Sequence, residues 1–217
     1  MNWILLRGTA AKTVEFSHTS HDTDFYTLWL EVPRLSGRID TLRTLIGSDV
    51  VEKLDVSPGM WIEVQGQLRS FNNKSGSGSR LVVSALAKTV LSGINEPVNR
   101  VLLSGTICRE PIYRRTPLGR EICDIMLAVG RSYNRTDYLP LIAWGKTARE
   151  CATLGVGSMI YLEGRFQSRQ YTKLVEECLE EKTAYEISVL HTADSEEELI
   201  LGQKIHDDED GCQKNPN

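Results

Sequence analysis

Two halves of the sequence match each other at an offset of 97–98 residues. Three segments match in the same order: residues 5–9 with 102–106, 30–34 with 127–131, and 59–68 with 157–166. Matches that keep their order and spacing indicate two copies of one domain of about 95 residues. We therefore predict one domain over residues 1–93 and a second over residues 97–193, joined by the turn-rich stretch Ser92–Pro97.

Each copy alternates apolar and polar residues with the period of two that predicts β-strands. In the second copy the predicted strands cover residues 101–107, 122–131, 138–144, 159–170 and 184–191. A short helix is predicted over Thr147–Leu154, with Gly155 as its C-terminal cap, and the first copy has its counterpart near Asp49–Leu54. Five strands with a helix between the third and the fourth are typical of the OB-fold, a small Greek-key barrel. The predicted fold class is all-β, with two tandem OB-fold domains.

The net negative charge of the chain comes from its C-terminal segment. Residues 1–93 and 94–193 each carry a net charge of +1, whereas residues 194–217 carry −6. The last segment has few large apolar residues and no aromatic ones, so it cannot bury enough surface to offset the entropy of ordering. We predict a disordered acidic C-terminal tail over residues 194–217, which either keeps the protein soluble or recruits basic partners and competes for a basic groove.

Cysteine spacing and the N-terminal residues restrict the protein class. The five cysteines include no CxxC pair, so neither a zinc site nor a disulfide framework is indicated, and we expect Cys123 and Cys151 to be small core residues. The sequence begins without a basic segment followed by a long apolar one, and no apolar run approaches the roughly 18 residues of a membrane span. We expect a cytoplasmic protein without metal or other cofactors.

The fourth strand of the second copy has an apolar face and a face rich in arginine and tyrosine. The polar face contains Arg165, Arg169 and Tyr171, and the non-core face of the third strand contains Tyr138 and Trp144. Arginine binds phosphate without reading sequence, and an aromatic ring can stack on any base. The pattern predicts a groove for a single nucleic-acid strand. The alternative is that Tyr138 and Trp144 pack against a partner subunit or the helix.

Several motifs of the second copy occur together over residues 99–190. They are NRVLLSG at 99–105, TPLG at 116–119, LAV at 127–129, WGK at 144–146 and EGRFQSR at 163–169. In this combination the sequence resembles the bacterial and phage single-stranded DNA-binding protein family. The resemblance implies that Tyr133, Tyr138, Trp144 and Tyr171 stack on bases. It also implies four OB-folds per assembly, hence a homodimer of this chain, and an acidic tail that docks replication and repair proteins.

The first copy and the tail depart from the family pattern. Ser36 stands where Tyr133 does, Asn73 stands where Tyr171 does, and Thr44 or Ile46 lies near the position of Trp144. We therefore expect the first domain to be degenerate and mainly structural. The tail ends in Gly211–Asn217 and lacks the small hydrophobic tip of the family, which puts partner docking in doubt. The acidic stretch at residues 175–181 follows Tyr171, where it either bends away or packs as a short helix.

We find no pattern of catalytic residues, and the chain is not expected to be an enzyme. Gly145-Lys146-Thr147 lacks the first glycine of a phosphate-binding loop, because Pro140 occupies that position. The leading hypothesis is sequence-nonspecific binding of single-stranded DNA in replication, recombination and repair. The alternatives are an OB-fold interaction module such as a primosome-type adaptor, and a nuclease on an OB scaffold. The residues expected to neutralise phosphates are Arg131, Lys146, Arg165, Arg169, Arg115 and Arg135.

Overall fold

The two sequence copies form two β-barrels in a computed structural model, which describes residues 1–73, 81–93, 95–175 and 178–200. The elements of the first half are β1 (Asn2–Ala10), β2 (Glu15–Ser20), β3 (Thr23–Pro33), β4 (Ile39–Gly47), α1 (Ser48–Val51), β5 (Trp61–Asn72) and β6 (Leu81–Ser92). Those of the second half are β7 (Val98–Arg115), β8 (Glu121–Arg131), β9 (Arg135–Trp144), α2 (Gly145–Cys151), β10 (Met159–Val175) and β11 (Cys178–Ala193).

The order of elements confirms two tandem OB-folds. In the second half, three strands, a helix and two strands follow one another as predicted. The first half differs because β1 and β2 are separate strands where the second half has the single 18-residue β7. Both helices are shorter than predicted. The sequence also offers Asp49 as a helix N-cap, but the N-cap of α1 is Gly47, and no side chain makes a capping bond there.

The apolar residues that alternate with polar ones along each strand face the core, and the polar ones face the surface. Along β10, Ile160, Leu162 and Phe166 are buried, as are Cys123 on β8 and Cys151 in α2. The expectation that both cysteines are core residues is confirmed. The buried side chains of the two halves belong to one continuous cluster, so the barrels share a core.

The barrels are joined by antiparallel pairing of their first strands. Ile4 of β1 lies opposite Val101 of β7, and the register runs from Asn2 opposite Leu103 to Arg7 opposite Val98. Ile4 and Val101 are separated by the repeat offset, so they are equivalent residues. The pairing therefore has an approximate two-fold axis at this position, as an isologous interface between two identical subunits has.

Two equivalent glycines mark where the fourth strand of each barrel changes register. The β5–β6 pairing shifts between Gln65 and Gly66, and the β10–β11 pairing shifts between Glu163 and Gly164. A Cβ added at Gly66 would lie 2.0 Å from the Leu86 carbonyl oxygen, and one added at Gly164 would lie 2.7 Å from that of Ser188. A bulge with so close a backbone approach requires glycine, which explains why both copies keep it.

The segment after β11 departs from the prediction of a disordered tail beginning at residue 194. A helical turn begins at residue 196, where the Glu198 amide donates a hydrogen bond to Ser195 Oγ at 3.1 Å. Leu199 is buried, and the Met1 ammonium lies 3.4 Å from the Glu196 carboxylate. Residues 194–200 are therefore ordered by a side-chain cap and an apolar contact. Residues 201–217 lie outside the described residues.

The composition of Asn73–Ser79 predicts a flexible polar loop. Residues 74–80 lie outside the described residues, as do residues 176–177 of the acidic stretch. The backbone on either side of 176–177 is strand, with Val175 opposite Cys178. The alternative of a short helix over residues 175–181 is therefore wrong, because β10 and β11 extend as a hairpin.

Candidate nucleic-acid interface

The outer face of the second barrel is formed by β8, β9, β11 and β10, and we call this face the trough. On β10, Arg165, Gln167 and Arg169 alternate with core residues, which turns their side chains away from the core. Arg165 lies opposite Ser188 on β11, and Ser188 lies opposite Ile142 on β9. Since partners in a ladder project to the same side, the arginines of β10 share the trough with the outward side chains of β9.

The aromatic rings expected to stack on bases are not buried beneath the first half. Tyr138 is 49% exposed and Trp144 is 39% exposed, and both lie on the outward side of β9. Trp144 lies six positions after Tyr138 along the strand, which corresponds to about 20 Å. Tyr133 is 95% exposed in the β8–β9 turn, where it adopts a φ of 61°. The half-buried ring of Tyr171 lies under the Arg169 guanidinium, with 5.6 Å from Cζ to the ring centroid.

The six predicted phosphate ligands differ in how firmly carboxylates hold them. Within the described ranges, Arg165 and Arg135 make no ion pair. Arg169 Nε lies 3.3 Å from Glu186, and Lys146 Nζ lies 3.5 Å from Glu150 while remaining 83% exposed. The Lys146–Glu150 pair is exposed and worth at most about 1 kcal/mol, so a phosphate can displace it at little cost, whereas Arg169 is half-exposed and its partner Glu186 is buried.

Arg115 ends β7, on the long β7–β8 hairpin. Its side chain is 70% exposed and lies 3.4 Å from Glu121. Glu121 also accepts a hydrogen bond from the Tyr113 hydroxyl at 2.6 Å and pairs with Arg149. These contacts hold the pKa of Glu121 below its ordinary value, the Tyr113 bond most of all. Arg115 therefore belongs to a local charge cluster at the hairpin.

Arg131 is placed differently from the sequence-based expectation. Its Nε lies 3.0 Å from Oδ2 of the buried Asp137, and only 26% of its side chain is exposed. Asp137 also accepts a hydrogen bond from Arg69 of the first half at 3.3 Å. A guanidinium held by a buried carboxylate at the junction of the halves is less available to a phosphate than Arg165 or Arg135.

A groove of about 410 Å³ lies between the two halves, and sequence reasoning did not find it. We call it the inter-half groove. Its lining comprises Arg34, Arg38, Ile39 and Thr41 of the first half and Ser168, Arg169, Gln170, Thr183 and Tyr185 of the second. Its lining contains no carboxylate, and Arg169 belongs to both the trough and this groove. Arg38 is exposed and makes no ion pair with any described residue. One signal was present, because Arg38 and Arg135 are equivalent positions of the repeat.

The outer face of the first half has its own arginine and aromatic residues in other positions. Phe71 is 42% exposed, and the Arg43 guanidinium lies 5.7 Å from its ring centroid. Gly47 precedes α1 as Trp144 precedes α2, so it is the counterpart of Trp144. Thr44 and Ile46, which the sequence suggested for that position, are fully buried.

Few side chains among the described residues could act as a reactive thiol or as metal ligands. Burial is the main reason that the pKa of Cys151 rises to about 12, so this thiol is protonated at neutral pH. Among the described residues, no three His, Cys, Asp or Glu side chains cluster as metal ligands, and no helix has the length and hydropathy to cross a membrane.

Known proteins resemble the chain at two levels. The model of the Single-strand binding protein family matches residues 98–193. Single-stranded DNA-binding protein 2 of Listeria innocua is 35% identical over 81 residues, which cover 34% of this chain and 51% of that protein. Single-stranded DNA-binding protein 1 of Chlorobaculum tepidum is 31% identical over 83 residues, which cover 34% of this chain and 51% of that protein. The chain thus spans about half the length of these relatives.

The similarity of fold extends over both halves. The single-stranded DNA binding protein from Thermus aquaticus superposes with a TM-score of 0.71 at 21% sequence identity, covering 89% of this chain and 92% of that one. At this identity the likeness concerns the fold, and it confirms the arrangement of two OB-folds in one chain. The match to the Single-strand binding protein family is confined to residues 98–193, the second half of this chain.

Proposed function

We propose that the chain binds single-stranded DNA with little sequence preference and without catalysis, protecting exposed strands in replication, recombination and repair. The observation that supports this most is the trough, where Tyr138 and Trp144 are exposed on the same face as Arg165 and Arg169. The match of residues 98–193 to the Single-strand binding protein family model supports the same function.

The chemistry of the trough favours an unpaired strand. Tyr133, Tyr138, Trp144 and Tyr171 would stack on bases, and a duplex hides the base faces that they need. Arg165, Arg169, Arg135 and Lys146 would bind phosphates. Arg131 would have a lesser role because the fully buried Asp137 holds it, and Arg115 would have a lesser role because it belongs to the cluster of Tyr113, Glu121 and Arg149. Neither contact depends on base identity, so the binding would tolerate any sequence.

The assembly and the partners follow from the same reasoning. We propose that residues 1–93 and 97–193 act as the two domains, and that a homodimer presents four OB-folds. The protein would act in the cytoplasm on the nucleoid, and the acidic C-terminal residues would contact replication and repair proteins.

The decisive experiment is a titration of the whole protein with oligo(dT) of increasing length, with the mass of the complex measured alongside. Stacking on Trp144 should quench tryptophan fluorescence, and the affinity should fall steeply with salt concentration because bound phosphates release counterions. Unchanged emission together with no mobility shift at low salt would refute the proposed function.

An interaction module is the second candidate, and one feature favours it. The β7–β8 hairpin exposes Leu118 at 85% and Ile112 at 54%, which are apolar contacts suited to a protein partner. A variant unable to bind DNA that still captures a defined replication protein would favour this function over the first.

A further inference from the structure

A buried carboxylate of the first half holds the central DNA-facing strand of the second half. Asp40 of β4 is 1% exposed and accepts two hydrogen bonds from Ser168 of β10, from the amide at 2.8 Å and from the hydroxyl at 3.0 Å. Arg34 donates to Asp40 through Nε at 2.6 Å and Nη2 at 2.5 Å, and the same Nη2 donates to the Ser168 carbonyl at 2.9 Å. The backbone of Ser168 is thus bound on both its donor and its acceptor side.

The second half holds the first in the same way. Asp137 of β9 is fully buried and accepts a hydrogen bond from the Ser70 amide of β5 at 2.6 Å. The Ser70 hydroxyl accepts a hydrogen bond from the Tyr138 amide at 2.7 Å. Arg131 and Arg69 lie 3.0 and 3.3 Å from Asp137 Oδ2, so each half contributes one cation.

The two arrangements are equivalent under the repeat. Asp40 and Asp137 differ by 97 positions, as do Arg34 and Arg131, and Ser70 and Ser168 differ by 98. A carboxylate removed from water costs several kcal/mol unless charged partners and hydrogen bonds compensate it. The same costly group therefore occurs twice at the junction, each time in contact with the backbone of the other half.

We propose that Asp40 and Asp137 are positioning residues for DNA binding. Asp40 of the first half fixes β10 of the second half, and Asp137 of the second half fixes β5 of the first half. The proposal rests on the proposed function. Ser168 lies between Gln167 and Arg169 on β10, and the Ser70 hydroxyl fixes the backbone of Tyr138. The first half thereby orients one phosphate ligand and one stacking ring of the trough, although it lacks counterparts of the four aromatic rings.

Whether DNA binding weakens or tightens when either carboxylate is replaced separates a positioning role from a simple electrostatic effect. Asp40 and Asp137 are buried, so neither carboxylate is exposed for direct contact with bound DNA. Removing a negative charge beside an anion-binding surface should tighten DNA binding if nothing else changes. Loss of positioning should weaken it, since a phosphate ligand and a ring would no longer be held in place.

The test compares Asp40→Asn and Asp137→Asn with Asp124→Asn in the whole protein. Asp124 is a carboxylate of β8 that pairs with Arg114 at 2.8 Å and takes no part in either junction. We expect both junction variants to bind oligo(dT) about tenfold more weakly, equivalent to about 1.4 kcal/mol. Asp124→Asn should bind as the wild type does or slightly more tightly.

Amide hydrogen exchange provides a second test, because each substitution should change exchange in the half that does not carry it. Asp40→Asn should speed exchange of the Ser168 amide and leave Ser70 protected, whereas Asp137→Asn should do the reverse. Wild-type affinity or tighter binding in both junction variants would overturn the proposal, as would exchange that rises in the substituted half alone.

Milder variants cover the case in which Asp40→Asn does not fold. Arg34→Lys keeps the charge but loses the bidentate hydrogen bond to Asp40. Ser168→Ala removes the hydroxyl bond, one of the two hydrogen bonds from Ser168 to Asp40. Each should weaken binding, and combining them should cost less than the sum of the two, whereas unchanged affinity would refute the proposal. If the wild type itself fails to bind oligo(dT), the proposed function fails, while the crossed exchange pattern still tests whether the carboxylates fix the opposite strands.

Discussion

Replacing Tyr138 by alanine tests whether the exposed rings of the trough stack on bases. The ring is 49% exposed, and its cross-strand partner is Ala128, so truncation leaves no cavity in the core. The bond that fixes this residue, from the Tyr138 amide to Ser70 Oγ, involves the backbone and survives the change. We therefore expect the free energy of unfolding to change by no more than about 0.5 kcal/mol, as for other surface substitutions.

The effect on binding should be much larger than the effect on stability. One base–aromatic stack is worth about 1–3 kcal/mol, so Tyr138→Ala should raise the dissociation constant for oligo(dT) roughly 5- to 140-fold. Tyr138→Phe keeps the ring and should bind almost as the wild type does. Fluorescence titration in fixed salt measures all three proteins.

Phe16→Ala provides the matched control for this experiment. Phe16 is another exposed ring, at 61%, but it lies on β2 at the far edge of the first half. Its removal should leave the affinity unchanged. Equal losses in Phe16→Ala and Tyr138→Ala, or no loss in either, would refute stacking at this site.

Three further outcomes are expected. Arg38→Ala should make the salt dependence of oligo(dT) binding shallower by about 0.7 in the log–log slope, the value for one phosphate contact on a single strand. The same slope in Arg38→Ala and the wild type, or an equal change in the exposed control Lys53→Ala, would exclude the inter-half groove from the DNA path. Asn99→Ala should lower the free energy of unfolding in urea by about 1–3 kcal/mol, because the side chain exchanges hydrogen bonds of 2.6 and 2.9 Å with the Phe166 backbone; an unchanged denaturation midpoint would contradict this. At pH 8 iodoacetamide should modify the exposed Cys108 in the native protein and spare Cys151, whose pKa burial raises to about 12; peptide mapping that finds Cys151 modified would contradict its burial.

The repeat and the alternation of apolar residues were enough to predict two OB-folds and the exposed face of β10. These features can be read from the sequence of each barrel alone, because the alternation of side chains along a strand decides which residues face the core. The outward orientation of Tyr138 and Trp144 followed from parity alone. The structure of residues 194–200 was less predictable, because the burial of Leu199 depends on contacts outside its own segment.

The junction between the halves could not be predicted from such patterns. Asp137 stands between Thr136 and Tyr138 and looks like an ordinary polar residue at the start of a strand. Its role depends on β5 of the other half, which local periodicity cannot locate. The signal lay in polar identities between the copies, since Arg34 and Asp40 recur as Arg131 and Asp137. That Arg131 binds phosphate stays a prediction, and it was made without the carboxylate of Asp137, which lies 3.0 Å from the Arg131 guanidinium.

The antiparallel pairing of β1 with β7 places a subunit-like interface inside a single polypeptide. Its formation is then an intramolecular step, and dilution in the cell cannot separate the two barrels. Covalent fusion also breaks a constraint of identical subunits, in which every substitution appears in all copies. Here a substitution alters one barrel alone, so the N-terminal barrel can carry Ser36, Asn73 and Gly47 where the C-terminal barrel carries Tyr133, Tyr171 and Trp144.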